Sequence, residues 1–360
     1  MKTEKLYLGV FLMLLLTSGC KKENEAKNPF NENLENGVLI VNQGSFGKGD
    51  GDLSFYNRET KKVTNTLFQT VNGRPAGDVV QSVSRYNGKY YIVANASGKI
   101  EIAEEGSFKE GGVIKPLYQP RYFLGISPSK AYVTEWGTDG LTGTVAVIQL
   151  STLSITKRIN VGKGPERMLQ KGTSVYVACS GGYGTDSTVF IINTTTDEVT
   201  DTIRIEGAKN PNSMVIDTTG MLIVLCGGKM ASDFMSMEVQ PALVTINPAT
   251  NQVMSKMFLT GTYSPAGNLC INKEKTVMMF SLLFGNGIYS YSQAQSKPID
   301  KPVINAPAYA LGIDPKNNDI YAAKTGDGSS PDWVFRYNAQ HQIIDSFQVG
   351  LFPGFFLFNQ

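Results

Sequence analysis

A chain of 360 residues with 33 lysines and arginines against 31 aspartates and glutamates has a formal net charge of only +2. That balance leaves no electrostatic footprint for nucleic acid or for a strongly acidic partner. A single histidine, His341, excludes a histidine-based zinc centre and a Ser-His-Asp triad in their ordinary forms, and two tryptophans are too few for the repeated tryptophan dockings of quinoprotein dehydrogenases.

In chain order, Lys2 and Lys5 flank the start of an apolar run from Leu6 to Leu16 that is too short to span a bilayer as a helix. It ends in Leu16-Thr17-Ser18-Gly19-Cys20, which resembles the bacterial lipoprotein box with Thr17 where the leucine usually stands. The resemblance implies a signal peptide over residues 1–19 and lipidation of Cys20, whose acyl chains suffice for stable anchoring. The stretch after it, through residue 36, has almost no apolar content and is expected to be a flexible tether. Glu23 and Glu25 resemble the surface-export signal of Bacteroidetes lipoproteins, so the expected localisation is the outer membrane, lipid-anchored and facing the cell surface.

From Gly37 onward the pattern is that of short strands. Runs at 37–41, 53–56 and 63–68 come first, and prolines 75, 120, 165, 211, 265, 307 and 353 then open similar stretches, at spacings of 45, 45, 46, 54, 42 and 46 residues. Between Pro120 and Gly164 the unit resolves into β segments at 121–126, 130–135, 144–149 and 155–161, rich in β-branched and aromatic residues and separated by turn formers. Four such strands at this period make one propeller blade. Apolar second strands recur at 90–94, 131–134, 175–179, 222–226, 276–280 and 320–323. The phenylalanine-rich run 355–358 supplies the strand that the first three runs lack. The expected fold is an all-β, seven-bladed β-propeller over residues 37–360, its first blade closed by the C-terminal strand so that few sheet edges stay open.

After Cys20, three cysteines remain: Cys179, Cys226 and Cys270. An odd number cannot all pair, and buried thiols are expected, with a Cys179–Cys226 bridge left open by their places at the ends of consecutive second strands. Asp50, Asp52, Asp139, Asp327 and Asp332 lie in glycine-rich loops that match no complete calcium pattern, so turn chemistry is expected of them. His341 reads as a solvated turn residue. No Ser-x-Asp-x-Gly-x-x-Trp box and no acid/base pair occurs, so no enzyme is expected; a hydrolase would need carboxylates such as Asp139 and Asp186 to converge across blades.

In a propeller the second-to-third loops and the inter-blade turns share one face. Here those loops are long (42–52, 134–143, 179–187, 226–240, 281–287, 324–333), whereas opposite hairpins such as 86–88 are tight. The expected ligand-binding set is drawn from that face: Phe46, Arg74, Tyr118, Arg121, Trp136, Arg167, Tyr183, Phe234, Met235, Tyr263, Phe284 and Trp333. Aromatic and methionine side chains on rigidly held loops suit a large apolar or planar ligand. Glu166, Asn210, Asn212 and Asn268 add polar groups at the channel mouth.

The repeats AYVTEW, GTVAVIQLSTLSITKRINVGKGP and VYVACS resemble the YVTN/YncE-type repeats of seven-bladed propellers. With the lipoprotein start, the segments GVLIVNQGSFGKGDGDLSFYNRET and NGRPAGDVVQSV are similar to the BtuG-type vitamin B12-binding surface lipoproteins of Bacteroidetes. That resemblance implies a corrinoid, cobalamin or cobinamide, as transported ligand and not as cofactor, and a TonB-dependent outer-membrane transporter as partner. The alternative is a propeller that binds a protein or glycan on the same face without any corrinoid.

Overall fold

Each second strand is buried on both faces, and this decides the architecture. In Lys130–Glu135, Ala131 and Val133 pack toward one neighbouring blade while Tyr132 packs toward the other, because side chains alternate along a strand. The computed structural model describes residues 30, 32–285, 287–292 and 300–359, and within them the sheets follow one another around a ring. Seven apolar clusters, one at each junction between adjacent blades, form the core.

Blade 3 has strands Pro120–Ser127, Lys130–Glu135, Thr144–Gln149 and Ser154–Asn160, within a residue or two of the sequence expectation. Blades 2, 4, 5 and 7 likewise have four antiparallel strands, starting at Val80–Tyr86, Pro165–Lys171, Pro211–Ile216 and Ala310–Ile313. Blade 5 carries an extra hairpin, Lys229–Met230 with Met237–Val239, in its second-to-third loop. Among the described residues blade 6 has three strands, beginning at Ala266–Ile271, and Ile304 bridges to Ile288 at its outer side. Blade 1 runs Pro353–Phe358, Gly37–Asn42, Asp52–Asn57, Val63–Thr64 from the axis outward. Val38 lies opposite Phe358 and Ile40 opposite Phe356, so the C-terminal strand closes the ring as expected.

Blades are also tied by polar contacts that repeat. The Tyr132 hydroxyl donates to Asp197 in the outer turn of blade 4, and the Tyr176 hydroxyl donates to the Pro248 carbonyl in the matching turn of blade 5 (3.2 Å). A buried tyrosine that ends on a neighbour's turn fixes the angle between blades while satisfying its own hydroxyl.

Four local expectations need correction or placement. Residues 63–68 are not one strand: only Val63–Thr64 pairs, and Leu67–Asn72 is an α-helix. Its N-terminal N–H groups are taken by a carboxylate distant in sequence, Asp52, which accepts from Phe68 (2.8 Å) and Gln69 (2.9 Å). Phe30 and Leu34 pack into the core of blade 1, the latter on the short 3₁₀ turn Leu34–Asn36, so the packed unit reaches into the stretch expected to be tether. The three cysteines are free thiols and no Cys179–Cys226 bridge forms; burial pushes Cys226 and Cys270 up to about 12, far from the reactive thiolate range. The signal peptide, Cys20 and most of the tether lie outside the described residues, and among those described no helix is long and apolar enough to cross a membrane.

Candidate functional site at the channel mouth

The mouth of the central channel is built by β-bulges. In blade 3, Pro120 pairs with Glu135 but the next paired residue is Phe123, with Val133, which leaves Arg121 and Tyr122 out of register. The same slip frees Glu166 and Arg167 in blade 4, Asn212 in blade 5, Asn268 in blade 6, Gln81 in blade 2 and Gly354 in the closing strand. A bulged residue is unpaired and re-aimed. All of these line one cavity of about 550 Å3 on the face of the long loops, with Tyr309 completing it from just ahead of the first strand of blade 7. Where the strand opens on proline, as at Pro120, Pro165, Pro211 and Pro353, that residue has no N–H to give and tolerates the break in the ladder at the strand's first position.

The charged lining consists of Arg121, Glu166 and Arg167. Arg121 donates from Nε to Glu166 (3.0 Å) and from Nη1 to Gln81 (2.6 Å), and its guanidinium lies over the Trp136 ring at 4.3 Å. Burial raises the Glu166 carboxyl above its usual range against the pull of Arg121 and Arg167. Arg167 rests beside two rings, Tyr122 at 5.4 Å and Phe355 at 5.2 Å. The amides are engaged with backbone: Asn212 donates to the Ala266 carbonyl (2.8 Å) and Asn268 to the Tyr309 carbonyl (3.0 Å). Tyr309 donates to Gln43 (2.9 Å), whose side chain fits because Gly354 has no Cβ; one built there would meet Gln43 at 2.4 Å.

Of the twelve residues expected to bind, Arg121, Trp136, Arg167 and Phe284 line this cavity. Tyr183 stands beside it, its ring 5.7 Å from Trp136 and edge-on, with its hydroxyl donating to Gln119. Phe234, Met235 and Tyr263 are strongly exposed on the same face, the first two on the turn of the blade 5 hairpin. The remaining four sit elsewhere. Arg74 is committed to Glu101 and Glu110 on the outer strands of blade 2, and Tyr118 lies under the Arg158 guanidinium from the outermost strand of blade 3 (4.5 Å). Trp333 opens the third strand of blade 7 beside Phe335, and Phe46 projects from the blade 1 loop at 84% exposure; neither lines the cavity.

Among the expected mouth groups, Glu166, Asn210, Asn212 and Asn268 do line the cavity. Gln43, Gln81, Tyr122 and Tyr309 were not expected there. The sequence does hold a signal for two of them, because Tyr122 and Tyr309 each follow a blade-opening proline by two residues. The loop aspartates act as turn ties: Asp139 accepts from Leu141 and Thr142, Asp186 from Lys163, and Asp332 from Gly326 and Phe352. No group of three or more potential metal-ligating side chains occurs among the described residues.

Fold and mouth together define a seven-bladed β-propeller with a polar channel entrance rimmed by exposed aromatic side chains. The chain belongs to the family described as a domain of unknown function, DUF5074, which matches residues 36–359. No curated protein sequence matches the chain. Among solved structures it is similar to a quinonprotein alcohol dehydrogenase-like protein from Bacteroides thetaiotaomicron, at 15% identity and a TM-score of 0.65, over 92% of this chain and 80% of that one. It is also similar to a periplasmic gluconolactonase of Pseudomonas aeruginosa (12% identity, TM-score 0.65, 89% of this chain and 98% of that one). Hydrazine synthase of Kuenenia stuttgartiensis matches at 16% identity and a TM-score of 0.60, over 74% of this chain and 85% of that one. At these identities the likeness extends to the fold alone.

Proposed function

We propose that this protein is a surface lipoprotein that binds a corrinoid over the channel mouth and presents it, chemically unchanged, to a TonB-dependent outer-membrane transporter. The observation that carries this reading is the rim: Tyr183, Phe234, Met235, Tyr263 and Phe284 are all strongly exposed on the face whose centre is lined with amides, two tyrosines and three charged side chains. Exposed apolar side chains gathered around a polar hollow mark a recognition surface. A corrinoid is broad, nearly flat and fringed with amides, so its macrocycle lies across the rim while one edge enters the cavity. The likeness of residues 37–102 to the B12-binding propellers supports the choice of ligand, and the lipoprotein start supports the surface location and the transporter partner.

A second reading, a protein or glycan partner, is favoured by Phe46 and Trp333, which are exposed away from the mouth and widen the apolar area beyond what one small molecule covers. Calorimetry and absorbance titration of the purified protein with cyanocobalamin and with cobinamide separate the two. Saturable heat and a shift of the corrin absorption are expected. Neither signal at micromolar protein overturns the corrinoid and leaves the partner reading.

A further inference from the structure

We infer that Arg167 makes the channel mouth a subsite for an anionic oxygen group, a carboxylate or a phosphate ester, carried by whatever ligand enters. This goes beyond the corrinoid reading and does not depend on it. The three charged groups of the lining are unequal. Arg121 and Glu166 answer one another at 3.0 Å, and Arg121 has Gln81 and the Trp136 face besides. Arg167 makes no hydrogen bond or close ion pair among the described residues: it lies against the rings of Tyr122 and Phe355 and shares the field of Glu166, whose oxygen is bonded to Arg121. With Glu166 bonded to Arg121, the mouth carries a net charge of +1 located at Arg167.

A half-buried cation that shares its one neighbouring carboxylate with a second arginine is incompletely neutralised, at a cost that an incoming anion reduces. The geometry also suits the task. Rings against a guanidinium steady its plane and leave its edge, where the N–H donors point, open to a two-toothed contact with a carboxylate or phosphate. Asn212 does not compete for the guanidinium, since its Nδ2 donates to the Ala266 carbonyl and its Oδ1 accepts from the Ser213 hydroxyl.

The two tryptophans allow a direct test. Trp333→Phe leaves Trp136 as the sole indole reporter at the cavity. In that background, intrinsic fluorescence is followed during titration with inorganic phosphate and with acetate at low ionic strength, against sodium chloride of matched ionic strength. A saturable change beyond the chloride control is expected, with affinity falling tenfold or more in Arg167→Gln. Tighter binding of phosphate points to a phosphate ester, and tighter binding of acetate to a carboxylate. No saturable change with either anion, or wild-type affinity in Arg167→Gln, overturns the subsite. Should Arg167→Gln lose its near-ultraviolet dichroism, Arg167→Lys decides, since it keeps the charge and loses the fork: weaker binding supports the subsite and unchanged affinity overturns it. Binding of cyanocobalamin without anion binding removes this inference alone, whereas anion binding without corrinoid binding removes only the ligand proposed above.

Discussion

Trp136 and Trp333 look equivalent in the sequence, each in a long loop on the same face, yet they have different surroundings. Trp136 carries the Arg121 guanidinium on its ring and walls the cavity, whereas Trp333 stacks on Phe335 at the third strand of blade 7. Which loop residues lie near the axis depends on the radial place of each strand, and sequence spacing gives the face but not the radius. Trp136→Ala is therefore expected to weaken corrinoid binding by about 2 kcal/mol, the scale of an interface hot spot. Trp333→Ala should leave affinity unchanged in the same titration, and equal losses from both would move the site outward. A second residue makes a prediction in pH. Burial raises the Asp52 carboxyl from 3.8 to about 6, despite three backbone N–H groups that favour its charge. A raised acid binds its proton more tightly in the native state, so its contribution to stability is full below about pH 4 and is lost as pH rises through 6, on the order of 3 kcal/mol in all. Asp52→Asn removes that slope. From pH 4 to pH 7 the wild type should fall in melting temperature relative to the variant, and a constant difference would contradict the burial argument.

At the level of strands, much of the blade pattern was legible because its causes are local: period-two burial, β-branched content and a proline at or a few residues before the start of each inner strand. The helix Leu67–Asn72 was not, since its start is fixed by Asp52 and its entry residue Thr66 adopts a left-handed φ of 50°, neither of which adjacent residues announce. The bulges were hidden for a similar reason, as a slipped register appears only when two strands are paired. The closing strand was readable from its composition, and its importance can be measured. Removing residues 354–360 takes away the innermost strand of blade 1, with Phe356 buried and in contact with Tyr321 across the junction to blade 7. A large aromatic lost from a core costs roughly 3–5 kcal/mol on its own. The truncated protein should melt far below wild type, and an unchanged melting temperature would mean the ring does not rely on this seam.

For the whole molecule, the proposed role requires the disc to be held at a membrane while its loop face stays open. The anchor is proposed at Cys20, ahead of the packed residues Phe30 and Leu34, which hold the chain against blade 1. Cys20→Ala should move the protein from the membrane fraction to the soluble fraction without altering its melting temperature, and unchanged membrane association would refute the anchor. The bulges at the channel mouth carry a wider consequence. A side chain that has left the ladder can be exchanged without disturbing the strand pairing within its own blade, so what lines the mouth is set apart from what builds each sheet. The bulged positions of blades 2 to 6 thus form a variable collar on a constant disc. Related rings can inherit their robustness whole while their choice of cargo drifts.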